Sequence, residues 1–396
     1  VAPSPEPVGR ARGEDFGNYN LVQSYELGVR FHDVGGNEAR YRTDVNYRNG
    51  LRLLGSRFSL NSKDGRGRLF DELSVWTQGL GNDPYQSAGL RAQKNRWWRY
   101  DLLWRSNAYF DPGLGIAGGQ HSMDTERRLQ DHDLTLLPQS RVKFFAGFSH
   151  TLQTGPALST TNLFDLRDDE YPLLAAIDRR QREYRLGNEF TVLGVKVHWI
   201  RSWERYEESS PLRAAAPHPG NNPSDRSALA SLSRTEPYTG TTPGWRVNIL
   251  KEGRSVWAVN GRFTHSAGRR RFAFDESAAG ADRSGSARTS QILVGGDALR
   301  PVTTGHLTLS VFPAERLSIT NHSGFHNTRM EGNSSYIEFF NGAFAFDRLD
   351  FQFLGIRNFT TATSANFRAS GRLQFNGGHQ HFGRTVRSVE QPAFTR

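Results

Sequence analysis

The run QDHDLT sets Asp131, His132 and Asp133 side by side, the residue types that hydrolases use to activate water or a hydroxyl. On a strand, successive side chains point to opposite faces, so the two carboxylates share one face and His132 takes the other. An acid–base pair is thus split by its own backbone, and the expectation is a set of polar wall residues. The segment HQH puts His379 and His381 on one face at i, i+2, a metal-pair spacing with no third ligand beside it. NRWWRY, residues 95–100, interleaves arginine with aromatic rings as a nucleobase-stacking platform would. Trp97 and Trp98 face opposite ways on a strand, however, which suits a membrane-interface girdle better than a platform. No catalytic residue, no metal site and no cofactor in this chain are therefore expected, and the chain is read as a non-enzyme.

The residues with the clearest functional chemistry are isolated charges on alternating runs. Arg30, Arg99, Asp101, Arg105, Lys143, Lys196 and Arg262 each fall on the polar side of such a run, where they are expected to line a water-filled lumen. Fixed positive charge there would attract anions. In a narrow lumen the arginines would instead pair with acids such as Asp101 and Glu26. Trp98, Tyr100, Trp104, Phe110 and Trp199 occupy the opposite, apolar side and are expected at the level of lipid headgroups.

The elements that must position these residues are strands. Of the 396 residues only 36% are hydrophobic, yet 12% are aromatic and 40 are glycine. Disordered chains are poor in aromatics, so the composition points to sheets with one apolar and one polar face. Period-two alternation recurs throughout, clearest in WRYDLLWRSNAYF at 98–110, whose length suits a membrane-spanning strand of roughly 9–11 residues. No run of about 18 apolar residues exists, which excludes a transmembrane helix. The absence of cysteine excludes disulfides, zinc–thiolate sites and covalent haem attachment. The net charge is +10, with lysine only at 63, 94, 143, 196 and 251. Its charges are scattered, RRR at 269–271 in an apparent loop being the exception, so no nucleic-acid partner is expected.

Short connections are expected near 35–36, 49–50, 81–84, 94–95, Pro138, Gly194, 251–254, Pro313 and 370–371, and long polar ones near 111–124, 155–180, 208–242, 267–300 and 329–347. From Pro138 onward the short turns recur at nearly even spacing. The two Pro-x-x-Arg turns, Pro138–Arg141 and Pro313–Arg316, mark hairpin ends, because proline enters a sheet only at an end or an edge. Short turns on one rim and long loops on the other define an up-and-down transmembrane antiparallel β-barrel of about sixteen strands or more. Counting back from Pro138 leaves residues 1–20 on the long-loop side, so one strand before residue 125 is expected to be misassigned. Residues 1–20 are read as an N-terminal extension and 21–396 as the barrel. The start VAPSPEPVGR, without Met, fits a processed secretory N-terminus. The polar ending VRSVEQPAFTR, without a terminal aromatic, fits a piece of a longer barrel.

Residues 79–110, 127–150 and 309–326 resemble Gram-negative outer-membrane barrels in their strand-and-turn style. They are most similar to the MtrB/PioB-type barrels of porin–cytochrome complexes and to related acidobacterial barrel proteins. That resemblance implies an outer-membrane location and an insulating sheath around a multihaem cytochrome carried by another chain. The residues themselves favour a porin-like pore for small solutes or anions, with outer-membrane lipid as the other partner. The alternative from a different class is a soluble, secreted, basic β-protein that binds polysaccharide or nucleic acid.

Overall fold

The computed structural model describes residues 13–112, 123–157, 160–161, 171–214, 217–220, 224–252 and 256–390. Alternation produces strands almost everywhere, and twenty of them join in one hydrogen-bonded sheet. A short β1 (Glu14–Phe16) turns into β2 (Tyr19–Arg30). Then come β3 (Gly50–Ser62), β4 (Glu72–Leu80), β5 (Tyr85–Lys94), β6 (Trp98–Asp111), β7 (Met123–Leu136) and β8 (Val142–Ala157), each antiparallel to the one before. The two-residue β9 (Thr160–Thr161) lies on β10 (Tyr171–Val192), which pairs β8 on one side and β11 (Val195–Glu208) on the other. An insert of β12 (Leu212–Ala214), β13 (His218–Pro219) and β14 (Ala228–Thr235) precedes β15 (Tyr238–Lys251) and joins β10 to the far end of β16 (Trp257–Ala281). The meander closes with β17 (Ala287–Ala314), β18 (Leu317–Phe340), β19 (Ala343–Arg368) and β20 (Gln374–Glu390). The all-β, antiparallel up-and-down class is as the sequence implies. Among the described residues no ladder joins β20 to β1 or β2, so the sheet keeps two free edges.

Three expectations need correction. Residues 37–48, read as a strand between Gly-Gly and Asn-Gly, contain the helix α1 (Glu38–Asp44), N-capped by Asn37 through its side-chain oxygen to the Arg40 amide. Removing that strand restores the parity and places Tyr19 on the rim of short turns. The stretches 267–300 and 329–347 are not loops but the far halves of β16–β19, joined by short turns at 282–286 and 341–342. Their Gly/Ser-rich, polar composition reads as loop, yet each backbone is paired on both sides, which is what a ladder requires. RRR at 269–271 therefore sits within β16. The turn positions 253–254, most of the connection 111–124 and residues 158–159 and 162–170 lie outside the described residues, while 171–180, expected as loop, form the start of β10.

The packing is inverted relative to a globule. The chain exposes 25418 Å², against about 15,600 Å² for a compact protein of this size. Tyr25, Leu27 and Val29 on β2 and Phe31 just beyond it are between 57% and 85% exposed, and Trp199, Leu186, Leu309, Ile319, Phe359 and Phe367 are exposed on one face of later strands. The later-strand residues belong to an apolar band beside the short-turn rim, covering 257–263, 305–311, 317–325 and 359–367 on β16–β19, whereas the exposed residues of β2 lie toward its far end. That is seven to nine residues per strand, or ~23–30 Å. Beyond the band β16–β19 continue as a polar extension, with β16 reaching roughly 80 Å in all. The packed core lies in that extension: Tyr171, Leu173, Leu212, Leu229, Leu232 and Ala278. On β18–β20 the band is broken by Asn321, Ser323, Thr361 and Thr363, which hydrogen-bond to one another, with His379 and His381 paired opposite the threonines.

Candidate functional site

The face opposite the apolar band carries the charges, and register decides which of them meet. Asp133 and Arg185 both lie opposite Gly147. A Cβ there would come within 2.7 Å of the Arg185 Nε, so glycine is what lets the guanidinium cross β8. Arg185 then reaches Asp131 at 2.7 Å, Asp133 at 3.0 Å and Glu183 at 3.3 Å, and it donates to the Ser149 hydroxyl. Glu189 takes Lys143 at 2.8 Å and Lys196 at 3.1 Å. Asp101 takes Arg91 and Arg99, each at 2.7 Å. From β5 to β11 this face is thus a ladder of compensated charge.

From β15 to β20 the same face is different. Arg246, Thr264, Thr304, His326, Asn358 and Arg384 stand in one cross-strand row, with Arg262 and His306 opposite each other in the next. Thr264 and Thr304 share a hydrogen bond of 2.6 Å, and His322 Nδ1 lies 2.9 Å from the Thr308 hydroxyl. The strand segments 238–251, 257–270, 298–314, 317–330, 351–368 and 374–388 contain neither Asp nor Glu. Arg246, Arg262, Arg300 and Arg384 accordingly have no carboxylate partner among the described residues.

The sequence-derived wall residues divide between these two settings. Arg99, Asp101, Lys143 and Lys196 belong to the ladder, whereas Arg105 and Arg262 lack an ion pair among the described residues. Arg30 pairs with Asp83 at 3.0 Å, not with Glu26, and lies 3.8 Å over the Tyr47 ring. His132 turns away from Asp131 and Asp133, as the alternation requires, and its Nδ1 lies 2.8 Å from the Tyr100 hydroxyl. Trp98, Tyr100, Trp104 and Trp199 lie on the apolar face, Trp199 being exposed. Phe110, expected among the exposed girdle rings, is buried instead, with the Arg42 guanidinium of α1 stacked 3.7 Å over it. Its neighbourhood is set by a folded-back connection that period-two reading cannot foresee. Among the described residues no group of three metal-ligating side chains occurs.

Sequence reasoning passed over Arg185, Glu189, Arg246 and Arg384. The acid-free run 351–388 was a visible signal for the cationic side. The ladder partners carry none, because they come from different hairpins.

No family model matches the chain, and neither curated proteins nor solved structures gave a match.

Higher on the same face, above the band, lies an open cavity of about 870 Å³. Tyr206, Tyr238, Phe272, Phe274, Tyr336, Ile292 and Val294 line it, with Glu208 and Glu236 at its edge. The Tyr206 hydroxyl donates to Glu208 at 2.5 Å and the Tyr336 hydroxyl to Glu338 at 3.0 Å. Burial, reinforced by those carboxylates, pushes both phenols up to about 12. Burial opposes ionisation of Glu208, but hydrogen bonds from Tyr206 and Arg179 outweigh it and hold the carboxyl below its usual range.

Proposed function

We propose that the chain is the wall of an outer-membrane β-barrel pore, non-enzymatic, whose polar face conducts small solutes with a preference for anions. The observation that carries this is the exposed apolar band, concentrated on one face and, along β16–β19, toward the short-turn end. At a tilt near 45° its ~23–30 Å of strand gives a height of about 16–21 Å, somewhat under the ~25 Å belt of outer-membrane barrels. Water would leave this much apolar area unfavourably solvated, at roughly 25 cal/mol per Å², and lipid removes that cost. Such a band also weighs against the soluble, secreted alternative. The unpaired Arg246, Arg262, Arg300 and Arg384 on the other face supply the anion preference.

The reading makes two structural demands. Unpaired strand edges are costly in hydrocarbon, so the edges of β2 and β20 must be covered in the membrane. β2 and β20 both run away from the short-turn rim, so antiparallel closure has to involve β1 or another chain segment. The polar break around Asn321 and Thr363 also calls for a protein neighbour on that side of the wall.

Planar-bilayer recording tests the proposal. The purified chain is expected to require detergent, to migrate differently on electrophoresis before and after heating, and to give anion-preferring conductance. Extraction in plain buffer would sink it. A wall that inserts but conducts only after a haem protein is removed would favour the sheath around a multihaem cytochrome instead.

A further inference from the structure

The cavity above the band is built unlike the wall beneath it. Five aromatic rings and two carboxylates line it, and among the described residues no Lys, Arg or His does. Gly296 makes this lining possible: a Cβ there would sit 2.7 Å from the Phe272 ring and 2.5 Å from the Asn333 carbonyl oxygen. Tyr206 and Tyr238 meet edge to face with centroids 5.6 Å apart. Around the cavity Glu208 pairs with Arg179, while Glu236 and Glu276 share the single cation Arg234. Glu338 accepts from Tyr336 and has no ion pair among the described residues. Acids therefore outnumber cations about the rim.

We infer that this cavity binds a small organic cation, an ammonium head carried on an aromatic or aliphatic body. Ring faces attract a cation through their quadrupole, the more so where water is excluded. The apolar lining takes the body, and the rim carboxylates take the charge. An organic anion of the same shape meets Glu208 and Glu236 with no compensating cation in the lining. The volume fits a solute of drug-like size, within the ~300–1,000 Å³ range of ligand pockets. The inference does not depend on pore activity, since the cavity lies outside the apolar band.

The test uses the full chain in lipid nanodiscs and three probes that share a ring and differ in charge: phenethylammonium, 2-phenylethanol and phenylacetate. Calorimetric titration is expected to rank them in that order, the cation binding about tenfold tighter than the anion, equivalent to ~1.4 kcal/mol. Glu208→Gln and Glu236→Gln should each cut the cation's advantage severalfold and leave the neutral alcohol unchanged, which also certifies an intact cavity. Phe272→Leu should weaken all three. Equal affinities for cation and anion would overturn the assignment, as would an advantage indifferent to both glutamate variants or no binding of any probe. Arg262→Glu, far down the wall, should leave all three affinities untouched, so a failed conductance experiment and a failed binding experiment remain distinguishable.

Discussion

Two parts of one sheet, β5–β11 and β15–β20, present charge on the same face and treat it oppositely. On the first, nearly every cation has a carboxylate within 3.3 Å, and Arg185 alone gathers three. On the second, Arg246, Arg262, Arg300 and Arg384 stand among Thr, Ser, Asn and His with no ion pair among the described residues. The backbones are equivalent, so the difference lies in composition. Compensated charge stiffens a wall and adds little net field, whereas uncompensated charge in a polar channel acts on passing ions. One half is read as support and the other as the selective surface.

The same deletion on each side gives the largest contrast. Arg185→Ala leaves Asp131, Asp133 and Glu183 without their shared cation; with Arg185 only 24% exposed, the expected loss is about 2–4 kcal/mol. Arg262→Ala, with no ion pair to break, is expected within about 0.5 kcal/mol of the parent. Urea unfolding of both variants measures this, and equal losses would erase the distinction between the halves. Function should reverse the ranking. Replacing Arg246 and Arg262 together by Glu is expected to lower the anion-over-cation permeability ratio severalfold, read from reversal potentials under a salt gradient. If selectivity follows Arg185→Ala instead, the halves have been assigned the wrong way round. A smaller effect is expected from Thr304→Glu, which sets an acid beside Arg262. It should roughly halve the preference while changing stability by less than about 1 kcal/mol.

Much of this arrangement was legible in the residues. Alternation in 98–110 and in 142–150 identified both faces, because a strand's side-chain period is fixed by its geometry. Pro138 and Pro313 marked hairpin ends, and both lie where strands end: Pro138 in the turn after β7, Pro313 at a register shift near the end of β17. The far halves of β16–β19 were missed because their stability comes from pairing with equally polar neighbours, a non-local property that no local pattern encodes. α1 was missed for a related reason: seven residues give too little periodicity to separate helix from strand. The aromatic cavity assembles Tyr206, Phe272 and Tyr336 from three strands far apart in sequence. Arg185 likewise meets its acids from β7 only through the register of β8 between them.

Acid gives the finest test of the contrast, because the acid-free rows of β15–β20 have no carboxylates to lose. Outside the apolar band, Asp282 caps the β16–β17 turn. It accepts from the Ser284 hydroxyl, from the Ser284 and Ser286 amides and from Arg288, and these bonds hold it down to about 2. Glu208, lowered by Tyr206 and Arg179 against the opposing effect of burial, ties the end of β11 to the middle of β10. A carboxyl lowered in the folded state stabilises fully above its unfolded value and loses that contribution as pH falls through the folded one. For Asp282 the window runs from about 4 down to about 2. Hydrogen exchange across that range should therefore rise first at 282–286 and at the Glu208 end of β11. The central rows of β17–β19, around Thr304, His326 and Asn358, should keep their protection, since no carboxylate there waits to be protonated. Simultaneous loss at both places would mean that the sheet melts as one unit, and that the paired and unpaired halves are not separable in stability.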